Sequence, residues 1–455
     1  MTGRQTATRA VPTVPVAPGA VITRERVRSA ALPMACWAWT RGVLLLFTYN
    51  VVPYISHGDI VGDVKTYNRW SQSLAAGHYP LHDPQWQYPP GAAIVIALPR
   101  LIHSGTGLSY YTAFYAMALL ADLITFLLVL YRCWFTAHRG DATRTDYTGA
   151  WAYVVAIFML GPIVYGRYDI VVTMTAALAL VVTTSKASGT WRLRGAAIGT
   201  GALMKLWPAA LAVGLPKGAD GRRAVRWAVL AAAAPTLALA AFLPGAFGFL
   251  SGQQDRGLEV ESVLAVPFLI ARRFGYPGVI RHQYGAFEII GPGVGTAAIG
   301  CELLTVAGFA WLLWWRRRAD LTPQRWSAAL YYDAGLVAVL VAIVTSRVLS
   351  PQYLVWVVAL IALCLTQPDS ALRGPCWLLL AAISLTQAEF PLLFPRLLHG
   401  GRLAPWVLAG RDLMLVVATL WAAWALWRAV VPKRRAEAPD EPRGEAGEAP
   451  VSSLA

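Results

Sequence analysis

Apolar residues in this chain gather in long unbroken runs separated by short polar stretches, a pattern foreign to the stripes and alternations of soluble folds. Runs close to the length that crosses a bilayer, roughly 18 to 25 residues, fall at about 33–54, 109–134, 149–166, 169–185, 226–246, 295–315, 326–346, 352–366, 375–390 and 405–428. A shorter run at 91–102 carries Pro99 and Arg100 and predicts a helix in the interface or a re-entrant one. Residues 195–216, GAAIGTGALMKLWPAALAVGLP, read either as one crossing or as a hairpin of two short helices bent at Lys205-Leu206-Trp207-Pro208. With the hairpin, Lys and Arg concentrate on the side that holds both termini; with a single crossing the excess disappears. The positive-inside rule therefore selects the hairpin. The expected architecture is an all-α polytopic membrane protein of about twelve membrane helices, with one transmembrane domain over 33–428. Residues 1–32 and 429–455 are expected to be disordered cytoplasmic tails.

One polar interruption is unlike the rest. Residues 57–90, HGDIVGDVKTYNRWSQSLAAGHYPLHDPQWQYPP, carry Asp59, Asp63 and Asp83 among many aromatic rings, and a plain connection would need neither. Tyr67, Trp70 and Leu74 recur at helical spacing opposite Lys65, Asn68, Arg69 and Gln72, which predicts a helix lying flat on the membrane and opened by Asp63. Residues 57–108 form the candidate catalytic loop, extracytoplasmic by the charge argument.

Composition supports this picture. The 455 residues are 57% hydrophobic and 14% charged, with mean hydropathy +0.50. The net charge of +15 does not point to nucleic acid, because Lys and Arg sit in short clusters between apolar runs, as topology signals do. Cys36, Cys133, Cys301, Cys364 and Cys376 lie in or beside apolar runs without metal-ligand spacing.

Several outer residues are candidates for chemistry. Asp59 or Asp63 could take a proton from a hydroxyl, although either could equally be a solvated loop acid. Lys205 lies in an otherwise apolar hairpin, where an ionisable group calls for an anionic partner such as a lipid phosphate, or else snorkels to water. Arg347, in SRVLSPQY beside Gln352, suits phosphate oxygens through its guanidinium fork. Arg167 and Asp169 flank the outer mouth of a helix pair, Arg256, Glu259 and Glu261 crowd one outer segment, and His282 and His399 are lone outer histidines. Glu389 reads as a helix-end residue, and Arg411-Asp412 as a pair that neutralises itself or a neighbouring helix.

The ordered motifs GDVKTYNRW, LAAGHYPLHDPQWQYPPGA, GRYD, LMKLWPAAL, DRGLEVESV and SRVLSPQYLVW resemble the GT-C superfamily of glycosyltransferases. Within it they resemble the family 87 mannosyltransferases of actinobacteria that use polyprenyl-phosphate-mannose. The resemblance covers most of 33–428. It implies a first outer loop with two membrane-parallel helices and a catalytic aspartate, which maps onto Asp63, with Asp59 as the competing candidate. It also implies a lipid-phosphate donor entering from the bilayer against Arg347, Lys205 and Arg256, and an acceptor glycan bound from the outer face. Tyr67, Tyr88, Arg167, Asp169, Glu261, His282 and Gln352 are then the substrate-binding candidates.

The expected activity is inverting transfer of a sugar, mannose by the resemblance, onto a hydroxyl of a cell-envelope glycolipid or glycan outside the plasma membrane. Displacement from a lipid phosphate releases an anion that is already stable, so one base suffices where a glycosidase needs two carboxyl groups. No cofactor is expected, and no metal, because the outer loops lack a dense acidic cluster. The rival from another class is a lipid-linked sugar transporter or flippase, since Gly-Pro-interrupted helices and a buried Lys also suit alternating access.

Overall fold

The computed structural model describes residues 24–81, 83, 85–136, 145–182, 188–243, 245–249 and 256–431. Most of both expected tails, 1–23 and 432–455, lies outside the described residues. Residues 24–32, assigned above to the N-terminal tail, are largely helical, in Arg24–Ser29 and the start of Ala31–Thr48.

The chain is mostly helical, as the apolar runs require. Six helices are long and apolar enough to cross a membrane: Ala31–Thr48, Tyr110–Phe135, Ala219–Phe242, Val294–Arg318, Arg373–Leu398 and Ala404–Val430. Thr148–Val164, Asp169–Val181, Ala328–Val344 and Pro351–Leu365 are apolar helices of shorter length, so length and composition alone do not reach the twelve expected. Their surroundings explain the shortness. Every residue of Leu354–Leu365 is buried, and Ala328–Val344 is buried on nearly all sides. A helix that is apolar all round belongs at the centre of a bundle, where a neighbour covers each face. Ala219–Phe242 and Val294–Arg318 instead run along the outside, with Phe242 84% and Val306 68% exposed, the condition of side chains that meet lipid.

One buried ion pair inside the bundle gathers several elements. Arg41 donates to both carboxylate oxygens of Asp122, at 2.9 and 3.2 Å, and the hydroxyls of Tyr153 and Tyr165 donate to the same carboxylate at 2.7 and 3.0 Å. One buried acid thus joins three helices and the Tyr165 turn through charge-assisted bonds.

The 195–216 stretch breaks where expected. Helix Ser188–Met204 stops before Lys205 and the chain resumes as a 3-10 helix over Trp207–Gly214. The first arm is longer than the sequence suggested, because it begins at Ser188 rather than 195.

The loop helix also differs in extent. It runs His57–Ala75, so Asp63 lies one turn inside it and Asp59 occupies its first turn. Ile60, Val64, Tyr67 and Ser71 form its buried stripe. A second helix, Ala92–Thr106, follows and contains Pro99. Gly91 precedes it with its N–H on the Leu203 carbonyl at 3.0 Å, which docks the loop on the 188–204 helix.

One element departs from the all-α expectation. Strands β1 (Leu258–Glu259), β2 (Val279–Gln283) and β3 (Ala286–Ile290) form an antiparallel sheet in the order β1-β3-β2. VIRHQ and AFEII flank the dipeptide Tyr284-Gly285, a spacing that is itself a hairpin signal.

Candidate active site

The His57–Ala75 helix shows a second face to a cavity of about 700 Å³. Gly58, Asp59, Gly62, Asp63, Thr66 and Trp70 line it, at the i, i+4 spacing of one helical stripe. A glycine inside a helix costs roughly 0.5–1 kcal/mol relative to alanine. At Gly58 and Gly62 an added Cβ would meet nothing within 4 Å, so neighbour packing does not require glycine at either position. Both leave bare wall beside the two acids, the kind of room a substrate needs.

The two acids sit differently. Asp63 is 38% exposed, with its carboxylate 2.9 Å from Arg167 Nε, an ion-pair distance without the alignment of a hydrogen bond. Arg167 Nη1 donates to the carbonyls of Ile60 and Gly166 at 3.1 Å each, so the arginine grips the helix one turn before the acid it faces. Asp59 is exposed, and its carboxylate has no ion-pair partner among the described residues. Asp83, the third acid of the loop, is structural. It accepts from Arg69 at 2.8 Å, from Trp70 Nε1 at 2.9 Å and from the Gln85 N–H at 3.0 Å, and so fastens the returning loop to the helix.

Gly166 sets this register. A Cβ there would lie 2.2 Å from the Ile60 carbonyl oxygen, so only glycine lets the 165–168 turn approach the helix backbone. Gly166→Ala is expected to lose about 1–3 kcal/mol of stability through overpacking. It should also lower activity by shifting Arg167 against Asp63, with thermal unfolding and turnover of the purified variant as the checks.

Three cations reach the same cavity from other elements. Lys205, at the break between the two arms, pairs with Asp169 at 2.6 Å. Its Nζ lies 5.1 to 5.9 Å from the ring centroids of Tyr88, Tyr168, Tyr353 and Trp356. That aromatic cage holds the ammonium by cation–π attraction in a largely dehydrated place. Arg256 Nη1 donates to Gln87 Oε1 at 3.0 Å, and its Nε is 3.8 Å from Glu288. Arg347 pairs with Glu302 at 2.8 Å and its own carbonyl accepts from the Glu259 N–H at 3.0 Å, which ties the 347–350 turn to β1.

On the cavity wall, Glu259 accepts from Ser350 Oγ at 2.7 Å, and burial raises its carboxyl above the ordinary range. Glu261 faces Arg411 at 3.4 Å; burial, then the neighbouring Glu389, push its carboxyl well up.

Part of this site falls on a stretch of chain that a family model recognises. The model of glycosyltransferase family 87 matches residues 86–351. The chain belongs to glycosyltransferase family 87. No curated protein matches it. The family match begins at Trp86, after the helix with Asp59 and Asp63, and it takes in Lys205, Arg256 and Arg347. This is therefore a multi-pass glycosyltransferase rather than a transporter.

Of the residues singled out from sequence, Asp59, Asp63, Tyr88, Arg167, Lys205, Arg256, Glu261, His282, Arg347 and Gln352 all line this cavity. Tyr67 and Asp169 are not on its lining. Tyr67 is 1% exposed and packs on Trp70, Phe114 and Tyr168, while Asp169 is buried beneath Lys205 and accepts from Trp356 Nε1. Both support residues that line the wall. Trp70, Gln85, Tyr284 and Trp356 also line the cavity, although the sequence reading did not include them as site residues. Among the described residues no three His, Cys, Asp or Glu side chains are placed to hold a metal ion.

Proposed function

We propose that this family 87 enzyme transfers a sugar, mannose by the family resemblance, from a polyprenyl-phosphate-sugar to a hydroxyl of a cell-envelope glycolipid or glycan. The observation that carries the reading is one cavity with a carboxylate on one wall and three cations on others. Asp63 takes the acceptor hydroxyl proton as that oxygen attacks the anomeric carbon. The bond from that carbon to the phosphate oxygen breaks on the opposite side, and its electron pair leaves on the polyprenyl phosphate, so configuration inverts. Lys205, Arg256 and Arg347 stabilise the charge that grows on the departing phosphate. Phe242 and the Val294–Arg318 helix present apolar surface outward, which suits a donor whose lipid tail stays in the bilayer. We place the active site extracytoplasmically in the plasma membrane with both termini cytoplasmic, on the distribution of Lys and Arg.

The test is incubation of the purified enzyme in bilayers with labelled polyprenyl-phosphate-mannose and phosphoinositol mannosides, followed by analysis of the product linkage. Label in a glycolipid of inverted configuration is expected. Release of label only as free sugar, or no use of the donor, overturns the reading. Arg347→Gln removes one charge-assisted contact, and its partner Glu302 is surface-exposed, so folding should be spared. The expected result is a fall of about tenfold or more in kcat/KM for the donor, with KM for the acceptor unchanged.

A further inference from the structure

The hairpin turn of the outer sheet is built at a cost that packing does not explain. Tyr284 and Gly285 have φ of 51° and 79°, the left-handed region at both positions of a two-residue turn. Asn, Asp or Gly suit the first position, whereas a bulky side chain there is strained. The Tyr284 side chain is only half-buried and has no hydrogen-bond or ring partner among the described residues. It lines the cavity.

Its surroundings point to a class of ligand. A Cβ at Gly285 would lie 3.4 Å from Gln85 Cγ and Nε2, so the tip of the hairpin stands directly over Gln85. The Gln85 backbone is pinned by Asp83 at 3.0 Å, while its side-chain amide has no partner among the described residues. Thr66, Trp70 and Gln85 also line a second, more open groove of about 1140 Å³ that continues past Arg69, His78 and Asp83. The hairpin tip therefore marks the junction of the cavity and an outer groove. A phosphate needs cations, and those of the cavity wall are Lys205, Arg256, Arg347 and the Asp63-paired Arg167. At the junction the wall offers an aromatic face, a hydroxyl and a neutral amide instead. That combination suits a neutral polyhydroxyl ring, whose C–H face stacks on an aromatic side chain while its hydroxyls bond to the amide.

We infer that Tyr284 is the stacking platform for the acceptor's terminal sugar, with Gln85 bonding its hydroxyls and the outer groove holding the sugars behind it. The inference rests on the glycosyltransferase reading, and it makes the acceptor an oligosaccharide chain rather than a lone sugar.

The test uses the full-length protein in nanodiscs with octyl glycosides of mannose and of α-linked mannotetraose, followed by tryptophan fluorescence without donor. Tyr284→Asn removes the ring but keeps a residue that accepts the left-handed turn. Mannotetraose binding is expected to weaken about tenfold or more, with the unfolding temperature equal to or above that of the wild type. Tyr284→Phe should bind like the wild type. Gln85→Ala should also weaken binding, and the wild type should prefer the tetraose to mannose. Unchanged binding in Tyr284→Asn, or a wild type that binds neither glycoside, overturns the inference. A wild type that binds the tetraose through Tyr284 yet transfers nothing from polyprenyl-phosphate-mannose overturns the donor assignment and leaves this platform standing.

Discussion

Asp63→Asn is expected to lower sugar transfer by roughly 10²–10⁴-fold, the range that loss of a positioned base commands. The fall should appear in kcat, with KM for the donor little changed, because the amide keeps the shape of the side chain and Lys205, Arg256 and Arg347 are not touched. The helix should stay in place, since Arg167 still donates to the carbonyls of Ile60 and Gly166. Asp59→Asn is the control. Its carboxylate lines the same cavity one turn earlier but is exposed and without an ion-pair partner. Less than a tenfold loss is expected there. If the Asp59 variant is the inactive one and the Asp63 variant turns over normally, the two roles are reversed, and Asp63 serves only to anchor Arg167.

The loop helix is partly legible in the sequence. Spacing of Tyr67, Trp70 and Leu74 indicated a helix and the side it would bury, because a buried stripe repeats every three to four residues whatever it packs against. Its start, His57, lies six residues before Asp63, and Ser56 ahead of it stands three residues before Asp59 as a capping serine would but has left-handed backbone and makes no side-chain cap bond. Lys205 stood out because a charge in an apolar run calls for an explanation in its own segment. Its partner could not be read, because Asp169 lies 36 residues away and only tertiary packing brings it to 2.6 Å. The same holds for Arg41 and Asp122, which lie 81 residues apart in different runs. Tyr284 was missed for a different reason. No strand is expected between the apolar runs 226–246 and 295–315, because the alternation of two five-residue strands is a far weaker signal than a twenty-residue apolar run.

Arg411→Met is expected to destabilise the protein by about 3–5 kcal/mol, the cost of leaving buried charge without its counter-ion. From sequence, Arg411 and Asp412 are expected to neutralise each other or a neighbouring helix. The structure surrounds Arg411 with three carboxylates: Asp412 at 2.8 Å, and Glu261 and Glu389 at 3.4 Å each, while Nη2 also donates to the Glu261 carbonyl at 2.7 Å. All four side chains are at most 4% exposed. One guanidinium therefore joins the last helix, the 388–393 turn and the segment that carries Glu259 and Glu261 into the cavity wall. The loss should depend on pH in a definite sense. Burial and Glu389 raise the Glu261 carboxyl, so the folded state keeps a proton that the unfolded state releases at ordinary carboxylate pKa. That contribution to stability is fully present below about pH 4.3 and is lost as pH rises through the folded value. Removing the arginine raises the folded value further, so the penalty of Arg411→Met should be largest near neutral pH and shrink in acid. Adding Glu389→Gln, which removes one of the orphaned charges, should recover part of the loss. Thermal unfolding in bilayers from pH 4 to 8 measures all three; a penalty that does not vary with pH would mean that packing, not charge, is what Arg411 contributes.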